Sequence, residues 1–105
     1  MTINEWSDAT AMAESVQNKT VSPRELVEAT IREAERTNPK INAIVSQRYE
    51  KALKEAETRD FSERPFAGVP IFLKDLGQEQ AGEPSTAGSR LFTSYRAKET
   101  DNYVK

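Results

Sequence analysis

The chain has 105 residues, 36% of them hydrophobic and 30% charged, with a mean hydropathy of -0.74, so it is at most one domain and is poor in core material for its size. A net charge of -2 with acids and bases interspersed leaves no basic footprint for nucleic acid or an anionic membrane. Cysteine and histidine are both absent, which removes disulfides, thiol chemistry, the imidazole base, His-dependent triads and most zinc sites from these residues.

The opening residues Met1-Thr2-Ile3-Asn4-Glu5-Trp6 carry neither a basic n-region nor an apolar h-region, and no stretch approaches a membrane span. A soluble, cytoplasmic protein is expected. The first sixty residues predict three amphipathic helices. In the first, over about residues 8–17, Ser7 or Asp8 is the cap, and Trp6, Ala9, Ala13 and Val16 recur at helical spacing as candidate core until Asn18 and Thr20 end it. The second covers about 23–37. Ser22-Pro23-Arg24-Glu25 is a capping box with proline at the first helical position, and Val21 can pack on Leu26 as a staple. Leu26, Val27, Ile31 and Ala34 form one stripe, and Asn38-Pro39 is read as its terminator.

Ile41-Asn42-Ala43-Ile44-Val45 is short and β-branched, which predicts a brief strand or extended link. The third helix follows over about 48–59, with Tyr49, Ala52, Leu53 and Ala56 on one face and the opposite charges Glu50, Lys54, Lys51 and Glu55 on the wet side. Composition then shifts. All four glycines lie between Gly68 and Gly88 and three of the five prolines between Pro65 and Pro84, so backbone shape is under special demand there. Pro70 cannot donate to a ladder and is expected to open a strand over about 70–74. Ile71 and Leu73 would lie on one face and Phe72 and Lys74 on the other, the pattern of a central strand covered on both sides. Partner strands are not found in the chain. Thr100-Asp101-Asn102 looks like a helix start, yet only Tyr103-Val104-Lys105 follow, too few for a stable helix without packing.

Lys74 is the leading candidate for chemistry. It reads either as a solvated lysine snorkelling from a strand end or as a site lysine, because ligands gather outside the carboxyl ends of strands in open α/β sheets. Asp75 does not trivially neutralise it, since neighbouring strand residues point to opposite faces. A lysine acting as a base near neutral pH needs about 4 kcal/mol of differential stabilisation of its neutral form. Burial beside Phe72 and hydrogen bonds to hydroxyls could supply that. The Gly82 to Gly88 stretch is not a phosphate loop, because five residues separate the glycines and Ser89-Arg90 follows. Ser89 reads as a nucleophile, a hydrogen-bond partner or a turn residue, the turn being the ordinary chemistry of serine after glycine. No serine stands three residues before a lysine in the Ser-x-x-Lys arrangement.

The segment Phe66-Ala67-Gly68-Val69-Pro70-Ile71-Phe72-Leu73-Lys74-Asp75, followed by Ala81-Gly82-Glu83-Pro84-Ser85-Thr86-Ala87-Gly88-Ser89, resembles the amidase signature family. The Ser22-Pro23-Arg24-Glu25-Leu26 helix, Asn38-Pro39-Lys40-Ile41-Asn42-Ala43 and the charged helix after it agree with the same pattern, so the resemblance extends over nearly the whole chain. It implies an α/β fold, the N-terminal part of an α/β/α sandwich with a mixed sheet, in which this chain is mainly helical with one or two short strands. Residues 1–105 would then be an incomplete N-terminal portion of a single amidase domain.

The resemblance also implies a Ser-cisSer-Lys mechanism of amide hydrolysis without cofactor or metal, with Lys74 as the terminal base and both serines beyond this chain. A base without nucleophile or oxyanion hole cannot run acyl transfer, so these residues alone are expected to be silent. The intact enzyme would take a small linear or cyclic amide, with no nucleic-acid or membrane partner. Leu76 stands where many members have asparagine after Lys-Asp, and Gly88-Ser89 stands where the family's tRNA-dependent amidotransferase subunit commonly has Ala-Ser. Both differences favour a free-standing amidase over an aminoacyl-tRNA amidotransferase A-type subunit. A reading of another class is a silent helical module that self-associates or binds a partner through its exposed strand.

Overall fold

The computed structural model describes residues 6–61 and 63–105. They divide into two compact units, Met1–Pro70 and Ile71–Lys105, taken in turn.

The first unit holds three helices. Asp8 caps α1 (Ala9–Gln17), its Oδ1 accepting the Ala11 N–H at 2.8 Å. Ala13 is buried, and so is Ser15, whose hydroxyl donates to the Ala11 carbonyl at 3.0 Å. The Ser15 carbonyl also accepts the N–H groups of Thr20 and Val21 at 2.9 and 3.3 Å, turning the chain towards the next helix. Trp6 is not core: it is 86% exposed, because it precedes the cap and the helical period that placed it inward does not reach it.

α2 (Pro23–Ile41) opens on the full capping box, with Ser22 Oγ accepting the Glu25 N–H at 3.1 Å and Glu25 Oε2 accepting the Ser22 N–H at 2.9 Å. Leu26, Val27 and Ala34 are its buried residues, and Leu26, 2% exposed, is the largest of them. The helix does not stop at Asn38-Pro39. It continues to Ile41, with Pro39 inside and Asn42 in the left-handed conformation as its C-cap. Pro39 has no N–H to give to the preceding turn and costs a helical bond. Asn38 offsets that loss: its carbonyl accepts the Asn42 N–H at 2.7 Å and its Oδ1 accepts those of Ala43 and Ile44, both at 2.8 Å. Of the two readings of 41–45, a brief strand or an extended link, the strand is not formed: Ile41 ends the helix and irregular chain follows.

α3 (Tyr49–Thr58) has no side-chain cap at Arg48; instead Gln47 Oε1 accepts the Tyr49 N–H at 2.9 Å. None of its residues is fully buried, and the Tyr49, Ala52, Leu53 and Ala56 face is half-buried. α3 packs on α2, and an Arg24–Glu57 ion pair joins the two while Arg24 also holds Glu28 at 2.8 Å. Arg48 grips Glu55 with both terminal nitrogens, at 3.2 and 2.7 Å. After α3 the chain returns to the start of α2 through Gly68, at φ +82°, where an added Cβ would lie 2.9 Å from Pro23 Cγ and 3.3 Å from Val16 Cγ1.

In the second unit the regular secondary structure is a single 3₁₀ turn, Arg90–Phe92, capped by Ser89 Oγ. The strand expected over 70–74 is not formed, and no strand is present among the described residues. A strand exists through the ladder bonds of its neighbours, and none lies beside 70–74; Ile71 and Phe72 are 71% and 57% exposed. The pairing that does form is between segments 79–84 and 96–101. Gly82 N–H donates to Ala97 O at 2.8 Å and Ala97 N–H to Glu83 O at 3.0 Å, with an antiparallel bridge between Pro84 and Arg96. Asp101 closes the far end, its Oδ2 accepting the Glu79 N–H at 2.8 Å while its own N–H donates to Glu79 O at 3.0 Å. Ala97 is buried at the centre of this pairing. The expected helix start at 100–102 is thus a turn, with Val104 and Lys105 donating back to the Asp101 carbonyl at 2.9 and 3.1 Å.

Candidate active site

Lys74 lies in irregular chain at the start of the second unit, and its side chain is exposed. Its backbone N–H donates to Gln78 Oε1 at 2.8 Å. The cover by Phe72 that the sequence suggested is not in place, since Phe72 is itself exposed; Leu76 is exposed as well, while Leu73 is half-buried.

Asp75 is the most heavily bonded group near Lys74. Its Oδ1 accepts the Thr86 N–H at 2.7 Å, its Oδ2 accepts the Thr86 hydroxyl, and its carbonyl accepts the Ala87 N–H at 3.0 Å. The Thr86 hydroxyl, then the Thr86 N–H and more weakly the Gly88 N–H, hold the Asp75 carboxyl below its ordinary range against the opposing effect of burial. Hydrogen bonds to the charged form act in this sense. Because the folded-state value is the lower one, this stabilisation is complete above the ordinary carboxylate range and is lost as pH falls through the folded-state value.

The loop that Asp75 holds carries a residue in an uncommon conformation. Ala87 has φ 52°, a left-handed geometry that costs a residue with a Cβ about 1–2 kcal/mol, and its N–H is the one bound by the Asp75 carbonyl. Gly88, at φ 69°, follows without that cost. Ser89 donates its N–H to Thr86 O at 2.9 Å and accepts the Leu91 N–H on Oγ at 3.2 Å, which is the turn role among its three readings. The structure thus brings the Lys74-Asp75 element and the Thr86-Ala87-Gly88 element together through Asp75.

Beside this loop is a hollow of about 270 Å³ whose walls include Leu76, Ser85, Ala87, Phe92 and Tyr95. Tyr95 donates to Glu79 Oε2 at 3.4 Å, and the Glu79 charge, with burial adding to it, raises the phenol's pKa. Among the described residues no group of three or more His, Cys, Asp or Glu side chains could hold a metal ion, and no helix is long and apolar enough to cross a membrane.

Sequence reasoning missed Asp75 and Thr86 as partners. The available signals were local: an aspartate ending an apolar run, and a Pro84-Ser85-Thr86-Ala87-Gly88 loop rich in turn residues that present backbone N–H groups to such an acceptor. Neither identifies the other across eleven positions.

Comparison with known proteins gives the class to which these elements belong. The Amidase family model matches residues 25–105, from the capping glutamate of α2 through the Asp75 loop, and the chain belongs to that family. It is 40% identical over 102 residues to a 6-aminohexanoate-cyclic-dimer hydrolase of Pseudomonas sp. (strain NK87), covering 95% of this chain and 20% of the relative. It is 38% identical over 103 residues to a lipoamidase of Enterococcus faecalis, covering 96% of this chain and 14% of the relative. The solved structure of a 6-aminohexanoate cyclic dimer hydrolase complexed with substrate superposes with a TM-score of 0.86 at 39% identity, covering 97% of this chain and 21% of that one. The chain therefore spans between 14% and 21% of the length of these relatives.

Proposed function

We propose that the protein is an amidase hydrolysing a carboxylic amide C–N bond by a Ser-cisSer-Lys mechanism, and that this chain supplies its lysine base, Lys74. In this reading one serine attacks the amide carbonyl and its proton passes to the bridging serine, whose own proton is taken by Lys74 Nζ. The proton returns by the same route to the leaving amine as the C–N bond breaks, and water then releases the acyl group from the serine. Both serines and the oxyanion-hole amides would come from outside residues 1–105, so these residues alone would be silent. The carrying observation is that the family match includes Lys74-Asp75 and Gly88-Ser89 and that hydrogen bonds from the Thr86 loop to Asp75 draw the second element to the first.

The 40% identity to a cyclic-dimer hydrolase, over 95% of the chain, supports a small linear or cyclic amide as substrate; in the same proposal the reaction runs in the cytoplasm and without cofactor. An α/β/α sandwich, of which residues 1–105 would be one portion, would supply the sheet that Ile71 and Phe72 lack. The amidotransferase-subunit reading is disfavoured by Leu76 and Gly88-Ser89. Replacing Lys74 with Ala in an active polypeptide that contains these residues is expected to abolish amide hydrolysis while leaving the circular dichroism spectrum unchanged. Retained turnover would overturn the assignment.

The exposure of Ile71, Phe72 and Leu91 favours a second reading for residues 1–105 taken alone, a silent module that self-associates through this apolar surface.

A further inference from the structure

The backbone on both sides of the Lys74 Cα is tied down, and by groups with no part in the acyl transfer described above. On one side the Lys74 N–H is held by Gln78 Oε1 at 2.8 Å. On the other, Asp75 is bound through its carbonyl and both carboxylate oxygens to Thr86 and Ala87. These bonds anchor the backbone on both sides of the Lys74 Cα.

We infer that Asp75 is a positioning residue for Lys74: its clasp on Thr86 and Ala87 fixes the backbone from which the lysine departs, and so aims the amine. This rests on the reading of Lys74 as the base. Two features support it. Ala87 is kept in a left-handed conformation at the point where the Asp75 carbonyl holds it, and an uncommon backbone geometry persists where surrounding bonds over-determine it. The carboxylate is spent on hydroxyl and backbone donors of the loop, so Asp75 acts through geometry and not as an ion-pair partner. An amine displaced by about 1 Å from its reacting position loses on the order of 100-fold in rate.

The test uses an active amidase polypeptide containing residues 1–105, with p-nitroacetanilide as the amide probe and p-nitrophenyl acetate as a more reactive ester for weakly active variants. Asp75→Asn is expected to lower kcat by about 10- to 100-fold with KM within about threefold. In a Lys74→Ala background the same change should cost nothing further on the ester, because the group it aims is gone. Thr86→Val should share the loss and Thr86→Ser should recover activity.

Asp75→Asn turnover within about threefold of the parent, with Lys74→Ala inactive, would overturn the positioning role and leave the amidase reading intact. A loss that recurs in full in the Lys74→Ala background would also overturn it, as the mark of a merely structural contact. Amide turnover retained by Lys74→Ala would instead remove the reading of Lys74 as the amidase base. Should Asp75→Asn fail to fold by thermal melting, the Thr86 pair decides: loss in Val with recovery in Ser supports the clasp, and parental activity in Val overturns it.

Discussion

Gly68 and Asp75 are the two residues whose chemistry is most constrained, for different reasons. Gly68 is needed twice over: its φ of +82° strains any residue with a Cβ, and the Cβ itself would meet the Pro23 ring at 2.9 Å and Val16 at 3.3 Å. A pyrrolidine ring at a helix start cannot swing aside. Gly68→Ala is therefore expected to lower stability by about 2–5 kcal/mol, the sum of backbone strain and overpacking, read as a fall in the urea midpoint. Gly77→Ala is the control: φ is +72° there and nothing lies within 4 Å, so only the strain of about 1–2 kcal/mol remains. Equal losses at the two sites would show that the contact with Pro23 is immaterial. For Asp75 the constraint is directional, because hydroxyl and amide donors converge on one carboxylate.

At the scale of elements, the sequence was most legible where the determining interaction spans three or four residues. The Ser22 capping box is an i, i+3 exchange, and the half-buried face of α3 follows from helical period alone. Asn38-Pro39 misled because proline is ordinarily a terminator and the residue before it avoids the helical region. What reversed that preference was the Asn38 side chain reaching five and six residues ahead, to the N–H groups of Ala43 and Ile44. Asn38→Ala should accordingly cost about 1–2 kcal/mol and fray the last turn of α2, seen as faster amide exchange over 38–42. Unchanged exchange there would mean that the left-handed Asn42 cap suffices without Asn38. The 70–74 segment misled differently: its apolar alternation is that of a covered strand, but a strand's hydrogen bonds belong to its neighbours.

For the whole molecule, the imbalance between core and surface is the dominant fact. Few of the described residues are fully buried, Ala13, Leu26, Val27, Ala34 and Ala97 among the apolar ones, while Ile71, Phe72 and, at 83%, Leu91 are exposed. Apolar surface left in water costs about 25 cal/mol per Å², so residues 1–105 on their own are expected to associate. Sedimentation velocity should show species larger than a monomer, with association weakened by Ile71→Asp with Phe72→Asp; a well-folded monomer at micromolar concentration would rule out the self-associating module.

The sequence by itself determined the helical grammar of the first sixty residues, the absence of thiol and imidazole chemistry, and the Gly-Val-Pro, Lys-Asp and Gly-Ser elements that mark the amidase family. These are properties of composition, of short spacings and of residue types that few other arrangements share. Tertiary structure alone decided that Asp75 turns to Thr86 and Ala87, that Asp101 closes the loop at Glu79, and that Gly68 meets Pro23. Each of these joins residues eleven to forty-five positions apart, where the closeness of two groups depends on the path of all the chain between them and no local propensity carries that information.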